Sequence, residues 1–299
     1  MNVRPFGRTS ARIITPEGRE ALTDLPVPAV RKCFTEAGLL LFRGFPGGAG
    51  PFKAFADLFV GRYLRDLGGS KSIDAVGDYM QSVMPVGNAQ DLHCESARGP
   101  NPPDLLWFHC ITPARTGGET TFADGVEIWT QLSAATRSLF SSKRVSFVEV
   151  LPDVQWRVGL RLLFFAELDH INLAGTTFKF LGDGTMRMEF VTSAVRRTRW
   201  TGAESFTNSL TGPYPGPARF EDGTEIPQAV MAEIKAVHAR VIDQVAWEAS
   251  DLLMVDNSRF MHGRREFADQ QREHLTCMGM ANFDGAVRAA AGGIQWRVG

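Results

Sequence analysis

The chain has 299 residues, 44% apolar and 22% charged, the make-up of a globular protein able to bury a large core. With 32 basic against 33 acidic residues and no basic run interleaved with aromatics, nucleic acid is not an expected partner. Met1 to Ile14 lacks the apolar stretch of a signal peptide, and nowhere do about eighteen apolar residues run together, so no membrane association and a cytoplasmic location are expected.

Along the chain, Val27 to Ala37 is expected to form a helix leading into Leu39-Leu40-Leu41-Phe42. That apolar run, bounded by Gly38 and Gly44, is too short for a helix and reads as a buried strand. Leu105 to Ile111, set between Pro102-Pro103 and Pro113, reads as another strand. Asp124 and Glu127 have the spacing of a capping box, and Ile128, Leu132, Ala135 and Leu139 recur on one face, which predicts a helix from about Gly125 to Phe140. Residues 145–225, with Gly and Pro clusters at Gly182 to Gly184 and Gly212 to Pro217, read as strands with long loops, a variable insert. Val230, Ile234, Val237, Val241 and Val245 predict a helix from Gln228 to Ala246, and strand-like runs follow at Leu252 to Val255 and Glu273 to Met280.

No repeat, linker or low-complexity tract divides residues 1–299, so one mainly β domain with peripheral helices is expected. A Gly-rich phosphate loop after a strand is missing, which disfavours a nucleotide-binding doubly wound sheet. Cys33, Cys94, Cys110 and Cys277 form no CxxC pair and read as small buried side chains.

His93 and Glu95 are two apart, and in a strand such positions share a face, so both could reach one cation while Cys94 points away. About one His-x-acid triplet arises by chance in a chain of this composition, so the pair says little alone. His262, expected just beyond the end of the strand at Leu252, supplies a third ligand if the fold brings the segments together. Two histidines and one carboxylate on one face of an octahedral ion leave three positions open, which suits Fe(II) oxygenases, whereas structural zinc takes four closed ligands. Arg272 reads either as the partner of a bound dicarboxylic acid or as a surface arginine paired with Asp269 or Glu273.

The blocks Leu92-His93-Cys94-Glu95, Pro103 to Cys110, Gly117-Gly118-Glu119-Thr120-Thr121-Phe122-Ala123-Asp124 and Asp251 to Phe267 carry a resemblance. In order and approximate spacing, from about residue 38 to 280, the chain resembles the taurine dioxygenase (TauD/TfdA) and clavaminate synthase-like family of Fe(II)/2-oxoglutarate dioxygenases. The resemblance implies a double-stranded β-helix, a jelly-roll, cupin-like barrel with iron at its mouth and helices outside. It places the metal-ligand core at residues 90–125 and 250–280, with His93, Glu95 and His262 as the catalytic metal triad; Glu95 stands where most relatives carry aspartate. Thr120 matches a hydroxyl that helps bind 2-oxoglutarate, and Arg272 matches the arginine for its far carboxylate. Many relatives have a second arginine further on, where this chain has Thr276 or Cys277, so Arg264 is the alternative.

The implied chemistry uses Fe(II), 2-oxoglutarate and O2, releases succinate and CO2, and hydroxylates, desaturates or otherwise oxidises a small amino-acid-like or natural-product intermediate, free or bound to a carrier protein. A homo-oligomer is left open. Tyr79 to Asn88, just before the first ligands, and Arg98, Arg157, Arg161 and Asn208, expected in loops around the mouth, could each meet a polar substrate but read as solvated. His109, His170, His238 and His274 read as structural, although His274 is close enough to Arg272 to face the cavity. The competing readings are a divalent-metal hydrolase built on the same triad and a non-enzymatic jelly-roll binding module.

Overall fold

A strand that is apolar at every position needs a core on each side, because alternate side chains face opposite ways. The computed structural model, which describes residues 1–64, 71–73, 77–83, 87–153, 173–181, 183–213 and 216–283, answers that demand at β3 (Leu39–Phe42). The large sheet runs β1 (Asn2–Pro5), β2 (Arg12–Thr15), β3, β17 (Leu252–Asp256), β8 (Leu105–Thr112), β19 (Glu273–Ala281), β6 (Gly77–Ser82) and β5 (Lys71–Ile73), with β4 (Val60–Leu64) also on β19. Facing it is a sheet in the order β16 (Asp243–Val245), β9 (Thr120–Asp124), β18 (Phe260–Arg264) and β7 (Gln90–His93). Between them lies an apolar layer of Leu39, Leu41, Leu106, Leu253 and Val255 against Phe122, Val245 and Phe260.

The alternate residues, Leu40, Phe42, Trp107 and Met254, pack the other way against Val30 and Phe34 of α1 (Val27–Ala37) and Phe52 and Phe55 of α2 (Ala49–Ala56). The outer face of the smaller sheet, at Leu92, Ala123 and Met261, is covered by α3 (Gly125–Gln131), α4 (Ala134–Ser142) and α5 (Gln228–Val241). A further sheet, β11 (Thr176–Phe180), β12 (Met186–Thr192), β10 (Val145–Leu151) and β15 (Arg219–Phe220), packs there too, and β13 (Arg196–Arg197) pairs with β14 (Glu204–Ser205). The architecture is the expected mainly β double-stranded β-helix with helices outside. Among the described residues no helix is long and apolar enough to cross a membrane.

Helix α1 and strand β3 fall at the bounds read from the sequence, joined by Gly38 at φ 78°. A side chain there would be strained and would meet the Phe260 ring at 2.8 Å. Two other helices depart from expectation. Residues 125–142 form α3 and α4, because Leu132 turns extended and Ser133 caps a new helix by accepting the Thr136 N–H. Asp124 does cap α3, accepting from Val126 N, but Glu127 accepts from Gln131 instead of closing a box. The helix expected to reach Ala246 stops at Val241, since Asp243–Val245 pairs with Thr120–Phe122 as β16.

Strand β18 sits between two partners: His262 pairs with His93 of β7 and Phe122 of β9, and Arg264 with Gln90 and Thr120. On the opposite face, a Cβ at Gly263 would lie 2.5 Å from the Gln90 carbonyl oxygen and 2.8 Å from Thr121 Oγ1. Gly263→Ala is therefore expected to force β7 from β18 and cost about 1–3 kcal/mol, read as a lower Tm. An unchanged Tm would mean that the two strands separate freely.

Candidate metal centre and adjoining pocket

His93 is the last residue of β7 and is buried. Its Nδ1 lies 2.9 Å from the Asp91 carbonyl oxygen. A carbonyl only accepts, so Nδ1 carries the proton and Nε2 keeps the lone pair a metal would use. His262 is in the middle of β18, a correction to its expected place beyond a strand end; its ring lies 4.4 Å from that of His93 and 5.3 Å from that of Phe108. Burial lowers the pKa of both histidines, that of His262 strongly, which holds them in the neutral form that ligates metal.

Glu95 was expected beside His93 in the same strand, but β7 ends at His93 and the chain turns at Ser96, which has φ 53°. The turn gives the carboxylate its aim: Oε1 accepts from Ser96 N at 3.2 Å and Oε2 lies 3.7 Å from His262 Nε2. Donor atoms of His93, Glu95 and His262 all lie within 4.8 Å of one another. Cys94 faces away, as expected, its thiol on the Asn257 carbonyl at 3.0 Å.

The Asn257 side chain, 0% exposed, holds the Glu95 peptide from both sides. Its Oδ1 accepts from Glu95 N at 2.9 Å, while Nδ2 donates to the carbonyls of Glu95 and Pro103, each at 3.0 Å. The sequence reading passed over Asn257 because asparagine after a strand reads as a turn residue.

Two residues along β18 from His262, about 7 Å by strand rise, the surroundings become cationic. Arg264 is buried and donates through Nη2 to the Asn88 carbonyl at 3.1 Å. Arg272, 6% exposed, donates through Nη2 to the Gly118 carbonyl at 3.2 Å, and its Nε has no partner among the described residues. Both guanidinium carbons lie close to the Phe267 ring, at 5.0 and 4.9 Å. The surface reading of Arg272 fails: Asp269 pairs with Arg115, and among the described residues no carboxylate pairs with Arg272. Burial lowers its pKa to about 10, which still leaves it charged at neutral pH.

Thr120 Oγ1 accepts from Trp247 Nε1 at 3.1 Å. A hydroxyl has one proton, so accepting from the indole leaves the Thr120 O–H free for the cavity. Trp247 in turn packs edge-on against His274, ring centroids 4.8 Å apart. His274 is buried against Trp247 and bonds no residue among those described. His109 is structural, with Nδ1 on the Asp251 carbonyl at 3.0 Å and Nε2 accepting from Gly48 N at 3.0 Å. His238 is buried beside Val237 and Val241 on α5.

Arg98 and Asn208 are not solvated loop residues. Arg98 is buried over the Phe147 ring, 3.5 Å from Glu149, and Asn208 is buried, bonding the Ala194 carbonyl and Leu210 N. Tyr79 is exposed and stacked on Tyr63. Arg157, Arg161 and His170 lie outside the described residues.

Replacing Asn257 by alanine leaves the Glu95 amide and two carbonyls without their partner. The expected result is about 1–3 kcal/mol of lost stability and roughly tenfold weaker Mn(II) binding, measured by electron paramagnetic resonance. Unaltered Mn(II) affinity would mean that Glu95 is held by other contacts.

The family model described as "Taurine catabolism dioxygenase TauD, TfdA family" matches residues 2–278. The dapdiamide synthesis protein DdaC of Enterobacter agglomerans is 22% identical over 90% of this chain and 92% of its own length. A clavaminate synthase-like protein of Arabidopsis thaliana is 23% identical over 79% of this chain and 80% of its own. The fold is shared with a taurine dioxygenase from Burkholderia xenovorans, with TM-score 0.65, 15% identity and coverage of 97% and 92%. It is shared too with PvcB of Pseudomonas aeruginosa, with TM-score 0.61, 15% identity and coverage of 90% and 85%. The chain belongs to the TauD/TfdA family and is an Fe(II)- and 2-oxoglutarate-dependent dioxygenase.

Proposed function

We propose that His93, Glu95 and His262 hold the iron, that Thr120 and Arg272 hold 2-oxoglutarate, and that the reaction oxidises an unactivated C–H bond of a small amino-acid-like or natural-product intermediate. The observation that carries this reading is the buried Arg272, charged and without a carboxylate among the described residues, beside a Thr120 hydroxyl with a proton to donate. A buried unpaired charge costs several kcal/mol, and the far carboxylate of a dicarboxylic acid offsets that cost. Arg264 is a second cation at the same end and the alternative partner.

When bound, iron and co-substrate supply O2 activation, coupled to conversion of 2-oxoglutarate to succinate and CO2 and to oxidation of the substrate. The chain's own residues supply orientation. Asp91 fixes the His93 tautomer, Ser96 and Asn257 aim Glu95, and Trp247 directs the Thr120 proton. Burial of Arg272 beside Phe267 limits solvent screening of its charge. A metal hydrolase on the same triad has no use for Arg272 and Thr120, and a binding module has none for the triad.

The substrate class is supported by names: DdaC is a dapdiamide synthesis protein, and PvcB is described as an oxygenase from an isonitrile synthetic pathway. The substrate arrives free or on a carrier protein, and the chain works as one domain in the cytoplasm, alone or as a homo-oligomer.

Two measurements test the proposal. Anoxic titration of the Fe(II) enzyme with 2-oxoglutarate is expected to show binding that Arg272→Ala weakens about 30-fold or more. Amino acids, small biosynthetic acids and carrier-tethered acids are then screened for substrate-dependent succinate release, which His93→Ala should abolish. Absence of 2-oxoglutarate binding to the wild-type enzyme would sink the assignment of Thr120 and Arg272.

A further inference from the structure

His274 is a buried side chain with both of its polar atoms unsatisfied: it is 2% exposed, yet neither Nδ1 nor Nε2 has a hydrogen-bond partner among the described residues. Leaving a buried polar group unpartnered is costly, so such a side chain points to a missing partner. Its position says which one. In β19, His274 shares a face with Met278, which lies in the layer between the sheets, and Arg272 precedes the strand, close enough for its charge to act on the ring. Its ring meets the edge of Trp247, whose indole N–H is held by Thr120. Trp247 thus links His274 to Thr120, and Arg272 acts on the same ring from two residues before it.

The surroundings also set what the ring can offer. Burial, and then the charges of Arg272 and Arg264 together with His109, push its pKa down to about 2, so it is a neutral imidazole with one donor and one acceptor nitrogen. Arg272 Nε–H, like both ring nitrogens, is without a partner among the described residues, so the two side chains do not bond each other. The ring N–H is left for an anion.

We propose that His274 selects the co-substrate: its ring N–H donates to the far carboxylate of the 2-oxo acid, beside Arg272 and Thr120, and so disfavours 2-oxo acids that lack this group. The inference rests on the 2-oxoglutarate reading above and adds to it a third contact.

The test uses the Mn(II)-loaded protein under anoxic conditions and two probes of equal chain length, 2-oxoglutarate and 2-oxopentanoate, the latter ending in a methyl group. By calorimetry, His274→Phe is expected to weaken 2-oxoglutarate about tenfold, the worth of one hydrogen bond to a charged group, and to leave 2-oxopentanoate unchanged. His274→Asn, which retains an N–H donor, should recover most of the loss, and Mn(II) affinity should be the same in all three proteins. Should the phenylalanine variant not fold, His274→Leu makes the same comparison. If the apolar variant binds 2-oxoglutarate as tightly as wild type, or loses both acids equally, His274 is only part of the wall or the seat of a buried water, and the proposal falls. A wild-type protein that binds no 2-oxoglutarate overturns the co-substrate reading itself, an outcome distinct from failure of His274 alone.

Discussion

The register of β18 between β7 and β9 is the constraint on which the rest of the site depends. A two-residue repeat decides which side chains of a strand enter the cavity, and a slip of one residue would turn His262 and Arg264 outward and Gly263 inward. Pairing on both edges makes such a slip expensive, because each strand's hydrogen bonds and the packing of Phe122 and Phe260 would be lost with it. Gly263 adds a steric lock, since only a residue without a side chain fits against Gln90 and Thr121. Ligand placement is thus a property of backbone pairing, refined by local contacts such as the Asn257 amide on Glu95.

Charge organises the cavity in a second way. The end with the candidate metal ligands has two neutral imidazoles and one carboxylate; the other has two guanidinium groups, a hydroxyl and a neutral imidazole. Each set is chemically incomplete in itself, the first as a donor set with open positions and the second through Arg272, which has no carboxylate partner among the described residues. A dicarboxylic 2-oxo acid has the complementary layout, a chelating head and an anionic tail. The apolar layer between the sheets keeps both ends in a medium where such complementarity counts for more than it would in water.

How much of this was legible in the sequence varies residue by residue. Helix α1 and strand β3 were readable because Gly38 separates a clean helical pattern from four consecutive apolar residues. Helix α5 overran by a few residues because Val245 keeps the helical period, and only the free edge of β9 reveals that this segment pairs as a strand. The helix over 125–140 was interrupted by Ser133, whose side chain serves a helix start as readily as it sits within one. His93, Glu95 and His262 were legible as a set through the surrounding blocks, whereas the placement of Glu95 was not, because the two-residue rule assumes that the strand continues past His93. Trp247 left no signal of its role, because its bond to Thr120 spans 127 residues and a lone indole looks like core until its neighbours are known, whereas His274 was marked only by its closeness to Arg272 in sequence.

Those sequence separations bear on how the protein reaches its working form. The Asn257 amide joins Glu95 across 162 residues, and strand β8 finds its partners β17 and β19 only after most of the chain lies between them. Contacts this distant close large loops, which slows folding and leaves the pairing of early and late segments as a late event. No partly assembled chain can present the two histidines and the glutamate together, so loading with metal would report completion of the tertiary structure and not merely the presence of its strands.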